Sequence, residues 1–216
     1  METEKNKYPE ITLILIPPIF NSIDISSEEV NFISLPDIAI SNKKSYQQKR
    51  EKKIVDWAKE IYQKDYNGEL ISFLQKKSLI EQEKPLFIIN YPRNQKQLDS
   101  FKNFLSDKKV NTIVISSVSD SVDEYMTENY IVCPLCEKIY RKKKDLKFLC
   151  PKDNLTFDWN ELEIFTEFYN LYFSKNMIPV IRELLDIYDI SSITLRNEEE
   201  VLNLPEKLLR IVGASS

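Results

Sequence analysis

The chain has 216 residues, a formal net charge of −4 and no histidine. This length allows one α/β core with a small inserted module, and the acidic balance argues against a general nucleic-acid-binding protein. Only two glycines, Gly68 and Gly213, occur in the whole chain, so a glycine-rich phosphate loop is not expected, and the commonest general base is missing too.

Apolar runs alternate with segments of helical periodicity along most of the chain. Strands are predicted over residues 11–16, 30–34, 85–90, 110–116 and 192–195. Helices are predicted over residues 45–62, 69–77, 95–107, 162–173, 179–188 and 198–211. Strands that alternate with helices in this way indicate a parallel sheet with right-handed crossovers. The predicted fold class is therefore α/β.

All three cysteines lie within residues 133–153, in the pattern C-x2-C-x13-C-x2-D. Two closely spaced pairs of ligands, separated by a short hairpin, are typical of a tetrahedral zinc site. The predicted ligands are Cys133, Cys136, Cys150 and Asp153, with the carboxylate in the fourth position. Such an ion would be structural, and would stabilise the hairpin that carries it.

Plain reduced thiols in an apolar core are the simpler alternative, because cysteine is a common buried residue. Zinc is favoured because Pro134 and the basic run at residues 141–144 indicate a polar hairpin. A disulfide is least favoured, since the cysteine count is odd and no secretory segment is recognised. No apolar run approaches the roughly 20 residues that span a bilayer. We therefore expect a soluble protein in a reducing, cytoplasmic compartment.

Several further motifs, taken in chain order, resemble those of the adenylate kinases, specifically the form with a long, zinc-bearing lid. The matching segments are residues 14–18, residues 32–34 with Asp37, residues 68–71, residues 87–93 with Gln97, the cysteine pattern with Tyr140, Pro179, and residues 198–201. Together they span nearly the whole chain, and their order is more specific than any one of them.

This resemblance implies a P-loop-kinase-like parallel sheet flanked by helices, with a small zinc-binding lid hairpin. It divides the chain into a core at residues 1–125 and 160–216, which includes monophosphate-binding-like helices at residues 40–80, and a zinc lid at residues 126–159. Arg93 and Gln97 match the family's AMP site.

The departures from the family pattern concern the catalytic parts. The family's phosphate loop reads Gly-Pro-Pro-Gly-x-Gly-Lys-Gly, whereas residues 16–23 read IPPIFNSI. Ile19 and Phe20 would occlude the loop, Ser22 stands in place of the lysine, and Asn90 replaces an aspartate that organises the metal. The arginines expected around the lid are also missing. Because phosphoryl transfer depends on such positioning and charge, we expect no kinase activity.

The resulting expectation is a catalytically inactive subunit with a structural or interaction role in a larger multiprotein assembly, such as a ribosome, a motility machine or an ATPase complex. One alternative is a non-catalytic AMP sensor that uses Arg93 and Gln97. Another is nucleic-acid contact through the basic hairpin at residues 141–147. The simpler interpretation makes Arg93 a salt-bridge residue that shapes a turn and Gln97 a helix-surface residue.

The former cleft is expected to be rich in aromatic side chains, which either fill it or form a partner interface. They are Trp57, Trp159, Phe165, Phe168, Tyr169, Tyr172 and Phe173. A chain that no longer releases substrate has no need of a mobile lid. We therefore expect the hairpin to be held closed or docked on a partner.

Overall fold

A computed structural model describes residues 10–23, 31–34, 54–63, 68–70, 72, 84–106, 109–143, 147–151 and 155–211. Asp37 and Asp153 lie outside these ranges. So do residues 45–53 of the first predicted helix, most of the predicted helix at residues 69–77, and Lys144 in the basic run.

The described residues form nine strands and seven α-helices. The strands are β1 (Ile11–Leu15), β2 (Asn31–Ser34), β3 (Leu86–Ile89), β4 (Val110–Ser117), β5 (Tyr130–Val132), β6 (Ile139–Arg141), β7 (Phe148–Leu149), β8 (Thr156–Phe157) and β9 (Asp189–Leu195). The helices are α1 (Ile54–Gln63), α2 (Gln95–Leu105), α3 (Asp120–Asn129), α4 (Trp159–Tyr172), α5 (Ile178–Ile187), α6 (Glu198–Leu202) and α7 (Leu204–Ile211). A 3-10 helix, Pro18–Phe20, follows β1, and a π-helical turn, Phe173–Met177, joins α4 to α5.

Five strands form one parallel sheet in the order β2-β3-β1-β4-β9, with helices on both faces. The predicted α/β class is confirmed. Strand β1 lies at the centre and is buried along its whole length, as its continuous apolar run predicts. Because side chains alternate across a strand, Leu13 and Leu15 pack with α2 and α5, whereas Ile14 packs on the opposite face with α4 and α7.

Three elements differ from the sequence predictions. Helix α3 was not predicted, because its sequence is largely polar and only Val122 and Met126 are buried. Strand β9 begins at Asp189 rather than at residue 192, since polar residues extend its pairing along β4. The predicted helix at residues 198–211 is two helices separated by Asn203. Pro205 explains this break, because proline lacks an N–H group and clashes with the preceding turn.

The strands β5 to β8 form two small antiparallel hairpins inserted between α3 and α4. We call the described residues 130–143, 147–151 and 155–157 the cysteine module. They fall within the segment that the sequence assigns to the zinc lid. Within the part of the chain described, no helix is long and apolar enough to cross a bilayer.

Candidate metal centre and the Arg93 cradle

The three cysteines converge, as their spacing predicts. The sulfur atoms of Cys133, Cys136 and Cys150 lie within 4.8 Å of one another, and all three side chains are buried. Thiolates bound at about 2.3 Å to a tetrahedral ion would lie roughly 3.8 Å apart, so the cluster has room for a metal ion. Asp153, the predicted fourth ligand, lies outside the described residues, and its role stays a prediction.

Backbone hydrogen bonds form the two turns that bring the cysteines together. The N–H of Glu137 donates to the Cys133 carbonyl at 2.8 Å, and the N–H of Cys133 donates to the backbone carbonyl of Lys138 at 2.9 Å. In the second turn, the N–H of Cys150 donates to Leu155 at 2.9 Å. Glu137 has a φ of 56°, in the left-handed region that non-glycine residues rarely adopt. The first turn therefore fixes the backbone of Glu137 as well as the two thiols.

The surroundings of the cluster are more apolar than the sequence analysis expected. The cysteines share a small core with Ile131, Leu135, Phe148, Phe157 and Leu162. Burial raises the pKa of the Cys133 thiol, so this thiol keeps its proton in the free protein and a bound cation would displace it. The cysteines are therefore surrounded by an apolar shell, and the basic side chains of the hairpin lie on its outer face.

On that outer face, two of the predicted basic side chains lie near carboxylates. The ammonium of Lys142 lies 3.3 Å from Glu163, and that of Lys147 lies 3.8 Å from Asp158. Arg141 and Lys143 are exposed. This arrangement is that of a solvated hairpin face, and nucleic-acid contact stays a prediction.

The predicted salt bridge of Arg93 is confirmed, and its partner is Glu137 in the cysteine module. The two guanidinium nitrogens Nη1 and Nη2 donate to Oε1 and Oε2 of Glu137 at 2.7 and 2.5 Å. The exposed fraction of the side chain is 0% for Arg93 and 4% for Glu137. The pair is therefore a bidentate ion pair removed from water.

Two tyrosines complete this site. The hydroxyl of Tyr62, on α1, donates to Glu137 Oε1 at 3.1 Å, and that of Tyr169, on α4, donates to Oε2 at 2.8 Å. Their ring centroids lie 4.5 and 5.6 Å from the guanidinium carbon of Arg93, within the range of a cation–π contact. We call Arg93, Tyr62 and Tyr169 the Arg93 cradle.

The pKa values of the three donor side chains in the cradle are all raised, so each keeps its proton. Burial opposes the charge on Arg93, but the carboxylate of Glu137 outweighs it, and the pKa of the guanidinium lies well above its ordinary value. Burial, and then the same carboxylate, raise the pKa of Tyr62. Burial also raises the pKa of Tyr169. Both phenols therefore remain donors across the physiological pH range.

Gln97 is not the helix-surface residue that the sequence analysis expected, because its side chain is fully buried. Its Oε1 accepts the N–H of Arg93 at 2.7 Å, and its Nε2 donates to the Tyr62 carbonyl at 3.3 Å. Asn94 caps α2 by accepting the N–H of Gln97. Gln97 thus fixes the backbone of Arg93 and ties α2 to α1.

The segment that follows β1 is closed by the chain's own side chains. Ile19 and Phe20 are buried in the core. The side chain of Asn90 accepts the N–H of Ile16 at 2.7 Å. The side-chain amide of Asn21 donates to the backbone carbonyl of Glu137 at 2.8 Å, and the backbone carbonyl of Asn21 accepts the N–H of Ile139, in the cysteine module, at 3.0 Å. The module therefore lies against the carboxyl edge of the sheet.

The aromatic residues of this region mainly fill it. Phe165 and Tyr169 are buried in the same cluster as Ile19 and Phe20, and Phe168 and Tyr172 are partly buried against it. Phe173 is buried on the other face of the sheet, and Trp159 packs against the cysteine cluster. The side chain of Trp57 lies outside the description. Burial of Phe165 and Tyr169 is what filling of the cleft predicts, and a partner interface through the other aromatics stays a prediction.

A second tie between the module and the core joins β5 to α6. The hydroxyls of Tyr130 and Tyr125 donate to the two carboxylate oxygens of Glu198. These bonds, with that of Tyr130 the stronger influence, hold the pKa of Glu198 below its ordinary value. A carboxylate with a lowered pKa stabilises the fold above its unfolded-state pKa, and this contribution is lost as the pH falls through the folded-state pKa.

We therefore expect Glu198→Gln to be less stable than wild type at about pH 6–7, with a difference that shrinks as the pH falls below the ordinary glutamate pKa of about 4.3 and disappears once the folded-state carboxyl is protonated. Urea unfolding across this pH range measures it. Glu124→Gln, at an exposed position of α3, is the control and should have a stability close to that of wild type, as is usual for a surface substitution. A Glu198→Gln difference of constant size at every pH would contradict the expectation.

Sequence reasoning missed three of the residues in this site, namely Tyr62, Glu137 and the cradle role of Tyr169. The available signal was a charged residue directly after the second cysteine, and this is equally typical of any solvated turn. No family model matches the chain, and no curated protein matches it. The adenylate kinase resemblance therefore rests on its motifs alone.

Proposed function

We propose that the chain is a catalytically inactive, adenylate-kinase-like protein with a structural or interaction role in a larger multiprotein assembly. The observation that carries this proposal is the filled carboxyl edge of the sheet. Open α/β sheets bind ligands in the crevice at this edge. Here, Ile19 and Phe20 occupy the segment after β1, and Glu137 engages Arg93.

The loss of catalysis is supported by the charges that are missing. A phosphate loop needs converging N–H groups and a lysine, and residues 16–23 supply neither glycine nor a basic residue. Arg93, one of the two residues matching the family's AMP site, is already neutralised by Glu137. A nucleotide would have to displace a buried, bidentate carboxylate before it reached this arginine.

We further propose that the cysteine cluster holds a structural zinc ion in a reducing, cytoplasmic compartment. Three thiolates form a soft ligand set that suits zinc. Asp153 would supply the fourth ligand. A closed coordination shell leaves no position for water or substrate, which is the arrangement of a structural rather than a catalytic zinc site.

Calorimetric titration with AMP and with ATP tests the non-catalytic, non-sensing role. We expect no binding heat from either nucleotide at millimolar concentration, because Glu137 occupies the arginine and the loop after β1 is packed. Saturable heat from AMP that disappears in Arg93→Met would contradict the proposal and would favour the alternative AMP sensor.

Native mass spectrometry of the protein, purified gently from its own cells, tests the assembly role. A zinc-loaded chain found only within a larger complex and without nucleotide would support the proposed role and give the mass of the partner. A free chain of 25.5 kDa with a bound nucleotide would contradict it.

A further inference from the structure

The carboxylate of Glu137 has a complete set of hydrogen-bond donors. Oε1 accepts from Arg93 Nη1 at 2.7 Å and from the Tyr62 hydroxyl at 3.1 Å. Oε2 accepts from Arg93 Nη2 at 2.5 Å and from the Tyr169 hydroxyl at 2.8 Å. A carboxylate has about four lone-pair positions, and here each oxygen receives two donors. The cradle therefore has the donor count and the planar fork of a site for one carboxylate.

The donors of this site come from parts of the chain that are distant in sequence. Tyr62 lies on α1, Arg93 lies in the turn after β3, and Tyr169 lies on α4. Two hydrogen bonds hold the arginine independently of Glu137. Its side-chain Nε donates to the backbone carbonyl of Asn90 at 2.8 Å, and its backbone N–H donates to Oε1 of Gln97. The cradle is thus fixed by the core, whereas its ligand arrives on the cysteine module.

We propose that Arg93, Tyr62 and Tyr169 form a carboxylate-binding site, that Glu137 is its resident ligand, and that the site binds a free carboxylate when the Glu137 side chain is absent. The cysteine module is then docked by anion recognition rather than by apolar packing alone. This inference does not depend on the proposed function, because it concerns only the buried site and the module that fills it.

The geometry favours a carboxylate over a phosphate. The two tyrosine rings lie with their centroids 5.0 Å apart and face the guanidinium, so the four donors converge on two oxygens in one region. A phosphate would bring further oxygens, beyond the two that the four donors serve, into a buried site, where an unpaired polar group costs free energy.

Chemical rescue tests the site. Glu137→Ala deletes a CH2–COO− group, which has the composition of acetate. We would measure the thermal midpoint Tm of Glu137→Ala, with the metal content that it has as purified, during an acetate titration at about pH 7.5 and constant ionic strength. We expect a saturable rise of about 3–6 °C at an acetate concentration ten times its dissociation constant. Wild type should show no rise, because Glu137 already fills the site.

Three controls separate binding from general solvent effects. Acetamide has nearly the same shape as acetate without its charge, and should not stabilise Glu137→Ala. Glu137→Gln keeps a side chain in the cradle and should not respond to acetate. The double variant Arg93→Met with Glu137→Ala lacks the guanidinium and should not respond either. An equal acetate response in the double variant or in wild type would overturn the proposal, as would rescue by inorganic phosphate at a lower concentration than acetate.

A second variant covers the case in which Glu137→Ala does not fold. Glu137→Gly suits the φ of 56° at this position and deletes a group with the composition of propionate. The folded fraction of Glu137→Gly should then increase with propionate and not with propionamide. Failure of propionate to increase it would overturn the proposal. Nucleotide binding plays no part in these measurements, so they stand apart from the tests of the proposed function.

Discussion

Replacing Cys136 with serine is expected to abolish stoichiometric metal binding and to lower Tm by more than about 10 °C. The free energy of binding of a structural zinc ion is on the order of 10 kcal/mol, and each kcal/mol corresponds to about 2–4 °C in a chain of this size. Metal content by elemental mass spectrometry and Tm by calorimetry measure the two effects. A strong chelator should reproduce the loss in wild type, and added zinc should reverse it.

The damage should be local. The cysteines belong to a small core with residues of the module and the start of α4, separate from the two clusters that cover the sheet. Hydrogen exchange should therefore accelerate in β5 to β8 before it does so in β1, β3 and β4.

Asp153→Asn tests the fourth ligand, and Asp99→Asn, at an exposed position of α2, is its matched control. Asp153→Asn should weaken metal binding, whereas Asp99→Asn should leave it unchanged. If purified wild type contained no metal and the Cys136→Ser variant had the same Tm as wild type, the cluster would instead be three plain buried thiols.

The Arg93→Met variant is expected to lose about 3–5 kcal/mol of unfolding free energy, since it leaves the carboxylate of Glu137 buried without its counterion. Denaturant unfolding of the zinc-loaded protein measures this loss. The double variant Arg93→Met with Glu137→Leu should be more stable than Arg93→Met alone, because replacing both charges removes the uncompensated ion. It should not reach wild type, because the hydroxyls of Tyr62 and Tyr169 lose their acceptor.

Arg210→Met provides the matched control for this cycle. Arg210 lies on α7 with 80% of its side chain exposed, 3.8 Å from Glu206. Exposed ion pairs contribute little, so the stability of this variant should stay near that of wild type. Equal losses of unfolding free energy in Arg93→Met and Arg210→Met would show that the buried ion pair contributes no more to stability than the exposed one.

The sheet was predictable because its central strands carry the signal in their own residues. Residues 86–89 are a continuous apolar run, residues 11–16 are interrupted only by Thr12, and residues 113–115 form the apolar centre of β4. A strand buried on both faces needs such a run. Helix α3 lacked that signal, since it buries only Val122 and Met126. Strand β9 begins with polar residues, and its extent is set by pairing with β4, which local sequence does not encode.

Of the candidate site, the cysteine cluster was predictable from the sequence, and the contact between Arg93 and Glu137 was not. Cysteine spacing fixes which thiols meet, because two short turns leave few other arrangements, and the three sulfur atoms do meet. A salt bridge of Arg93 was predicted without its partner. Glu137 lies 44 positions after Arg93 in the chain. Its side chain points inward because its backbone is left-handed, and a glutamate at this position does not predict that conformation. Burial of Gln97 likewise depends on the Tyr62 carbonyl of another helix.

The strand order carries a consequence for the chain during its synthesis. Strand β9 pairs with β4 along seven residues, from Asn111 with Asp189 to Ser117 with Leu195, yet the cysteine module and α3 to α5 separate the two strands in sequence. Chains emerge from the ribosome N terminus first, so one side of β4 waits unpaired while all of these elements are made. An unpaired strand edge is a template for association with other chains. Addition of the last strand therefore covers this side of β4 and makes β9 the edge of the sheet.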